Sequence, residues 1–252
     1  MRRTAVALIA LAGCGRISFD AFGAGAGDGG IDSNRDAPDA KPLVIPPGAG
    51  VWLEMETGPA AGSGGIVDSA GGHSATCAGT CPAKVAGLHG SGYQFGTEEI
   101  QVAYAADLAA GGGFTAALWI RFSTPPSAQG CVWSQPFGAM GSGFDTFTLC
   151  IDPDLTVTFD SESPGGVANA LSAPALSLNS WHHLAFTWDG AIKRGYVDGV
   201  KVVQGNVQIG TGNRPLSLGG EDGGYFVEAV VDDAVFYPRA LSAAEVSMLA
   251  TP

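Results

Sequence analysis

The sequence lacks a long apolar segment, has few basic residues and shows almost no helical periodicity. A bilayer crossing needs about 20 consecutive apolar residues, and the N-terminal apolar run, residues 4–11, is far shorter. Only 12 basic residues stand against 24 acidic ones, which gives a net charge of −12. Because phosphates demand a basic surface, nucleic acid is excluded as a partner. The missing 3.6-residue period excludes a helical bundle.

The first 13 residues have the layout of a secretion signal: a basic start, the apolar run and two small residues. The ending LAGC resembles the lipobox of bacterial lipoproteins, whose cysteine becomes the lipidated first residue of the mature chain. The resemblance implies that Cys14 carries a lipid. It also favours an outer-membrane location, because no aspartate follows Cys14. The alternative is ordinary cleavage with Cys14 in a disulfide. Loss of residues 1–13 removes two arginines and no acid, so the net charge becomes −14.

Residues 14–48 are rich in Gly, Ala, Asp and Pro, as in GAGAGDGGIDSNRDAPDAKP. Such a segment has too little apolar surface to offset the entropy of ordering. We expect a disordered tether here that holds the following domain, residues 49–252, away from the membrane.

Four cysteines remain, and export favours two disulfides between them. Sequence alone allows three connectivities. We favour Cys77–Cys81, closing the short CAGTC loop, and Cys131–Cys150, clamping a hairpin whose midpoint lies in GAMGSG. A zinc site is the alternative, but the spacing C-x3-C and then C-x18-C is not a zinc-ribbon pattern.

From Val51 onward, short apolar segments alternate with Gly, Asp, Asn, Ser and Pro breaks, which predicts about a dozen strands. In FTAALWIRF, alternate residues from Phe114 to Phe122 share one face, and Thr115 to Arg121 share the other. We predict a single all-β, two-sheet antiparallel sandwich. One helix is expected near the C-terminus, where Ser242 and Glu245 have capping-box spacing.

Two longer segments carry a family resemblance. SWHHLAFTWDG followed by YVDGVKV, and the ending VVDDAVFYPRALSAAEVSML, resemble the laminin G-like, concanavalin A-like jelly-roll domains. The upstream VWLEMETG and VDSAGGHSATC resemble that family's opening strand and its following loop. The resemblance covers nearly all of residues 51–250 and implies a jelly roll with a short closing helix.

The histidines and Asp-Gly pairs within this segment have structural explanations. His182 and His183 are neighbours on one strand and therefore point to opposite faces, with His182 on the face of Leu184, Phe186 and Trp188. They cannot bind one metal together. Asp189-Gly190 and Asp198-Gly199 favour tight hairpin turns.

Calcium is the cofactor that the resemblance implies, since family members often hold this ion at the edge of the sandwich. Asp68, Asp232 and Asp233 are the candidate ligands, because calcium prefers carboxylate and carbonyl oxygens in loops. The alternative interpretation is that these are turn and solvent-facing acids.

Exposed aromatic residues are the usual means of gripping sugar rings. Trp133, Phe137 and Phe144 flank the GAMGSG loop, and Tyr225 follows GGEDGG, so these four are candidate ligand-binding residues. Aromatic residues at such positions also serve as core, and the sequence does not separate the two cases.

The family resemblance implies that the chain recognises carbohydrate or protein at the bacterial cell envelope. No catalytic residues are predicted: the E-x-D-x-x-E strand motif of one group of hydrolases with this fold is missing, and so is a G-x-S-x-G elbow. The alternatives are a structural or adhesive envelope component without sugar affinity and a divergent glycoside hydrolase. Fold alone does not choose among them.

Overall fold

The computed structural model describes residues 43–58, 65–137 and 144–252. The predicted signal, Cys14 and most of the predicted tether lie outside these residues, as does the GAMGSG loop. The strands within them are β1 (Val51–Leu53), β2 (Gly65–Ile66), β3 (Ala75–Cys77), β4 (Ala83–Ala86), β5 (Ser91–Gln94), β6 (Ile100–Val102), β7 (Phe114–Arg121), β8 (Gly130–Pro136), β9 (Asp145–Ile151), β10 (Val157–Asp160), β11 (Leu171–Ala173), β12 (Trp181–Trp188), β13 (Ile192–Val197), β14 (Val200–Asn206), β15 (Leu216–Leu218) and β16 (Val230–Tyr237).

The strands form two antiparallel sheets of eight strands each. Sheet A runs β14-β13-β12-β7-β16-β5-β4, with β1 paired to β16. Sheet B runs β11-β10-β9-β8-β15-β6-β3-β2. Sequence neighbours such as β7 and β8 lie in different sheets, which is the connectivity of a jelly roll. The predicted fold class is therefore confirmed.

The alternation along β7 explains why the sheets stack. Phe114, Leu118 and Ile120 point into the main core between the sheets, together with Leu184 and Phe186 of β12. This core is rich in aromatic contacts, such as Phe114 stacked on Phe147 at 4.5 Å between ring centroids. Burial of this apolar surface is the main force holding the sandwich together.

A second, smaller core covers part of the outer face of sheet A. It contains Ala117, Ala185 and Val235, and α1 (Ala243–Leu249) packs on it through Val246 and Leu249. Two short 3₁₀ turns, Ala106–Leu108 and Ala110–Gly112, precede β7.

The predicted capping box is confirmed at the start of α1. The Ser242 side chain accepts from the Glu245 backbone N–H, and the Glu245 carboxylate accepts from the Ser242 N–H. At seven residues α1 is too short to cross a bilayer, and no helix in the described part of the chain has the length and apolarity to do so.

The packed domain begins earlier than the predicted boundary at residue 49. Leu43 is buried in the second core, and the Tyr237 hydroxyl donates to the Pro46 carbonyl at 2.8 Å. The apolar side chains of Leu43 and Ile45 give this segment something to bury, unlike the Gly- and Asp-rich residues before it.

Both Asp-Gly pairs lie in hairpin turns. Asp198 and Gly199 have φ of +50° and +75°, so both central residues of the two-residue turn between β13 and β14 are left-handed. In the three-residue β12–β13 turn only Gly190 is left-handed, at φ +94°. Asp189 acts through its side chain there, accepting from the N–H groups of Ala191 and Ile192.

Candidate functional site

The outer face of sheet B carries small and polar side chains. Along β8, β9 and β10, residues such as Val132, Leu149 and Phe159 point into the core, and the side chains between them point outward. A cavity of about 210 Å³, which we call the sheet B groove, lies on this face. Its lining is formed by Gln129, Cys131, Asp145, Thr148, Cys150, Thr158, Asp160, Glu221 and Tyr225.

The Cys131–Cys150 disulfide forms part of the groove lining and joins the paired strands β8 and β9. The other predicted disulfide, Cys77–Cys81, closes the CAGTC loop. Glu221 comes within 4.8 Å of the two groove sulfurs, but sulfurs joined in a disulfide are not thiolates and do not bind zinc. With all four cysteines oxidised, the zinc alternative has no ligands among them.

Tyr225 stands at the rim of the groove with 60% of its surface exposed. A tight turn positions it: Asp222 and Gly223 both have positive φ, and Glu221 and Gly224 exchange backbone hydrogen bonds across the turn. The Tyr225 carbonyl then accepts from the Cys131 N–H at 2.7 Å. The backbone of Tyr225 is therefore held in place while its ring stays open to solvent, an arrangement that suits contact with a ligand.

Two carboxyl groups in the groove, those of Asp145 and Glu221, affect each other's pKa. Burial and the adjacent Glu221 raise the pKa of Asp145 to about 8, and burial likewise raises the pKa of Glu221. The two side chains are within hydrogen-bonding reach of each other, so the arrangement is stable when one is protonated. Sequence reasoning missed this pair because 76 residues separate its members.

A second cavity, of about 330 Å³, lies on the other side of the 221–226 loop. Buried Glu99 anchors the loop by accepting from the Gly223 N–H at 3.0 Å and from the Gln101 amide at 2.9 Å. Glu98 and Asp222 add further carboxylates to its lining. The outer face of sheet B is therefore strongly acidic on both sides of this loop.

The four predicted aromatic ligand residues separate into two groups. Trp133 is fully buried between the sheets, with its indole N–H donating to the Ala117 carbonyl at 3.4 Å, so the prediction that it forms a binding rim is corrected. Phe137 and Phe144 stack on each other at 5.7 Å beside the undescribed GAMGSG loop, with Phe144 exposed. Of the four, only Tyr225 lines the sheet B groove.

Asp68 organises the loop after β2 and has no oxygen left for an ion. Its Oδ1 accepts from the N–H groups of Trp52 and Ala70, and its Oδ2 accepts from those of Gly72 and His73. Four N–H bonds use the acceptor positions of a carboxylate.

Asp232 and Asp233 meet His89 in a buried cluster on the outer side of sheet A. Asp232 accepts from the N–H groups of Leu88 and His89, and Asp233 pairs with His89 Nδ1 at 2.6 Å. The tryptophan ring N–H of Trp52 also donates to Asp233. The hydrogen bond to Asp233 raises the pKa of His89, and burial raises that of Asp232 to about 8.

The fit of these groups to calcium is poor. Calcium takes six to eight oxygen ligands, whereas the oxygens of Asp68, Asp232 and Asp233 face N–H donors, which occupy the positions that a cation needs. The ligand atoms of His89, Asp232 and Asp233 do lie within 4.8 Å of one another, but hydrogen bonds account for this closeness. The three candidate residues therefore do not fit a calcium ion in this arrangement.

The two adjacent histidines separate as predicted. His183 is buried on the outer face of sheet A, edge-on to Trp119 at 5.3 Å, and burial lowers its pKa to about 3. His182 lies at the end of the other face, where Asp198 and Ser177 bind its two ring nitrogens. The partners of His182 are structural, whereas the buried Nδ1 of His183 has no hydrogen-bond partner among the described residues, and the two histidines do not form a joint site.

Comparison with known proteins agrees with this fold. The family model for the concanavalin A-like lectin/glucanases superfamily matches residues 95–247. No curated protein sequence matches the chain.

Solved structures give the same picture. A Trypanosoma rangeli sialidase in complex with 2,3-difluorosialic acid has a TM-score of 0.63 at 14% identity, covering 81% of this chain and 32% of that one. The binding domain of Paraclostridial Mosquitocidal Protein 1 gives 0.62 at 17%, covering 81% and 52%. The botulinum neurotoxin serotype D binding domain gives 0.61 at 14%, covering 81% and 51%. The chain thus spans about a third to a half of these proteins, and at these identities the likeness concerns the fold alone.

Proposed function

Because the chain belongs to the concanavalin A-like lectin/glucanase superfamily, we propose that it binds carbohydrate in the sheet B groove without cleaving it. The observation that carries the proposal is Tyr225, which stands 60% exposed above a cavity lined by hydroxyl, amide and carboxyl groups. Sugar rings offer C–H faces to an aromatic ring and hydroxyls to polar side chains. A site with one aromatic wall and a polar floor is complementary to them.

Binding without hydrolysis follows from the contact between the two carboxyls. Glycosidases place their catalytic carboxyls roughly 5–10 Å apart, so that the scissile bond fits between them. Asp145 and Glu221 instead lie within hydrogen-bonding reach of each other. A sugar can lie across this pair, whose separation is shorter than either hydrolytic mechanism uses.

A divergent hydrolase is the second candidate, and one observation favours it: Asp145 has a pKa near 8, which suits a general acid. Release of chromophore from aryl glycosides, lost in Asp145→Asn, would support this candidate. We expect no release by either protein.

The place of action in this proposal is the bacterial cell envelope, with the domain held by a lipid on Cys14. The LAGC ending and the Gly- and Asp-rich stretch after it support this proposal. Mass spectrometry of the mature N-terminus tests it: the expected product begins at a diacyl- or triacyl-modified Cys14. An unmodified cysteine, or a chain that begins elsewhere, would remove the anchor.

The binding proposal is tested on a glycan array probed with the full chain, with and without calcium. We expect defined glycans to bind equally in both conditions, because the candidate calcium ligands do not fit the ion. Tyr225→Ala should weaken binding about tenfold, equivalent to about 1.4 kcal/mol. Tyr104→Ala is the matched control, since Tyr104 is also exposed but does not line the groove.

Absence of glycan binding in both conditions would overturn the proposal and leave a protein ligand or a structural, adhesive role. Equal losses in the two tyrosine variants would remove the groove as the site.

A further inference from the structure

A cavity lies at one end of the outer face of sheet A. Cross-strand pairing places Gln94, Val230, Arg121 and Trp181 in one row across β5, β16, β7 and β12. With strands about 4.8 Å apart, the row spans roughly 14 Å. The cavity measures about 290 Å³ and is lined by Gln94, Arg121, Ser123, Asn179, Ala229 and Val230.

Arg121 is set apart from the other arginines by its lack of an acidic partner. Arg194, Arg214 and Arg239 each pair with a carboxylate, at 2.7–2.9 Å. Within residues 43–58, 65–137 and 144–252, the Arg121 guanidinium has no hydrogen bond or ion pair. It lies over the Trp181 ring, 5.1 Å from the ring centroid. Acidic partners for an arginine are plentiful in this chain, whose net charge is −12. The isolation of Arg121 leaves its donors available to a ligand.

The Trp181 contact holds the guanidinium in place without using its N–H groups. A guanidinium against an aromatic face keeps its planar edge free, and that edge matches a carboxylate with two parallel hydrogen bonds. None of the described residues that line the cavity is Asp or Glu. A ligand carboxylate would therefore meet a cation without a competing negative charge.

The other lining residues offer neutral polar groups and an apolar wall. Gln94, Ser123 and Asn179 supply amide and hydroxyl groups, and Ala229 and Val230 supply the wall. The Gln94 amide N–H already donates to the Phe95 carbonyl at 2.8 Å, which fixes the orientation of this side chain. These neighbours suit the hydroxyls and C–H face of a sugar better than the bare charge of an inorganic anion.

We propose that the Arg121 cavity is a second binding site that accepts a carboxylate-bearing sugar, of the uronic acid class. One guanidinium balances the single charge of a carboxylate. The site is independent of the sheet B groove, whose acidic lining repels such a ligand. The chain would then bind neutral glycan on one face and acidic glycan at the end of the other.

Isothermal titration of the full chain with trigalacturonate, at low salt, tests the proposal. We expect binding in the micromolar to millimolar range, about tenfold weaker for Arg121→Gln and weakened by added salt. Arg194→Gln is the matched control, because it removes the same charge from an arginine that is paired with Asp189. It should bind as the wild type does. The neutral methyl ester of the trisaccharide should not bind.

If Arg121→Gln folds poorly, Ser123→Asp provides a second variant that tests the same cavity. Ser123 is an exposed loop residue, and the new carboxylate should repel the ligand and weaken binding by a similar factor. No heat from wild type at millimolar ligand, equal binding of the methyl ester, or unchanged affinity in both cavity variants would overturn the site. If acetate or a peptide carboxylate binds as tightly as trigalacturonate, the assignment to a sugar is wrong. Glycan binding in the sheet B groove would stand in each of these cases.

Discussion

The outer faces of the two sheets differ in whether other parts of the chain cover them. On sheet A, Ala117, Ala185 and Val235 are covered by the helix Ala243–Leu249 and by residues 43–49. On sheet B, the side chains between the core residues are polar, and the structure places the open groove over them. On sheet A the apolar outward side chains are covered by other parts of the chain, whereas on sheet B the polar outward side chains leave the groove open to a ligand.

The outer face of sheet A itself changes character along its strands. Paired β7 and β12 residues form three successive rows: Ala117 with Ala185, Trp119 with His183, and Arg121 with Trp181. The first row is apolar and covered, the second combines an aromatic and a histidine ring and is also buried, and the third borders the open cavity. Only the third row retains an unpaired charge, which is why the proposed second site lies there.

The largest predicted effect comes from Asp232 of β16, which pairs with Trp119 in the middle row of sheet A. Asp232 is fully buried and accepts three backbone N–H groups, those of Leu88, His89 and Asp233. Asp232→Asn turns an amide toward these donors, so we expect the free energy of unfolding to fall by about 3 kcal/mol. Urea denaturation measures the change.

Asp107→Asn is the control for that variant, because the exposed Asp107–His73 pair should contribute less than about 1 kcal/mol. A loss below about 0.5 kcal/mol for Asp232→Asn would show that the cluster does not hold the 87–90 turn on sheet A.

A smaller effect, this time an increase in the free energy of unfolding, is expected from a substitution of Lys193, which lies between the two sheets. Lys193 of sheet A is fully buried and donates to the Phe159 carbonyl of sheet B and to the hydroxyl of Ser161, which directly follows β10. Burial lowers its pKa to about 8, so the charged form costs stability below that pH. Lys193→Met should raise the free energy of unfolding at pH 7 by about 1–2 kcal/mol.

The pH dependence gives a second readout for Lys193. A lowered pKa in the folded state means that wild-type stability rises as pH rises from 8 through 10.5, where the unfolded chain loses its proton. That rise should shrink in Lys193→Met. A destabilised variant with an unchanged pH profile would show that the two hydrogen bonds outweigh the buried charge.

The smallest predicted effect belongs to the sheet B groove. The pKa of Asp145 is raised from 3.8 to about 8, so its contribution to stability is full below pH 4 and is lost as pH rises toward 8. Asp145→Asn should flatten this decline, with a relative gain of roughly 1 kcal/mol at pH 8 after solvent screening. Melting temperatures at pH 5 and pH 8 check it. Identical slopes in both proteins would mean that the pKa of Asp145 is not raised in the folded state.

Local patterns in the sequence predicted local structure well. The alternation from Phe114 to Arg121, the Asp198-Gly199 turn and the Ser242–Glu245 cap each depend on residues close in sequence, so side-chain period and turn chemistry suffice.

The site residues depend on contacts that no local pattern encodes. His89 meets Asp233 from 144 residues away, and Asp145 meets Glu221 only because β9 and the loop after β15 lie on one face. Trp133 and Tyr225 both flank glycine-rich stretches, yet Trp133 lies in the core and Tyr225 lies at the rim of the sheet B groove. A register shift between Cys131 and Trp133 and the positive φ of Tyr225 accompany these outcomes, and neither can be read from sequence.

The central claim is that the open outer face of sheet B is the glycan-binding face. Backbone amide NMR of the full chain, titrated with the glycan that binds best on the array, tests it directly. The account predicts that the largest chemical-shift changes fall on Thr148, Thr158 and Tyr225. Changes confined to the helix-covered face of sheet A, or spread evenly over both faces, would contradict it.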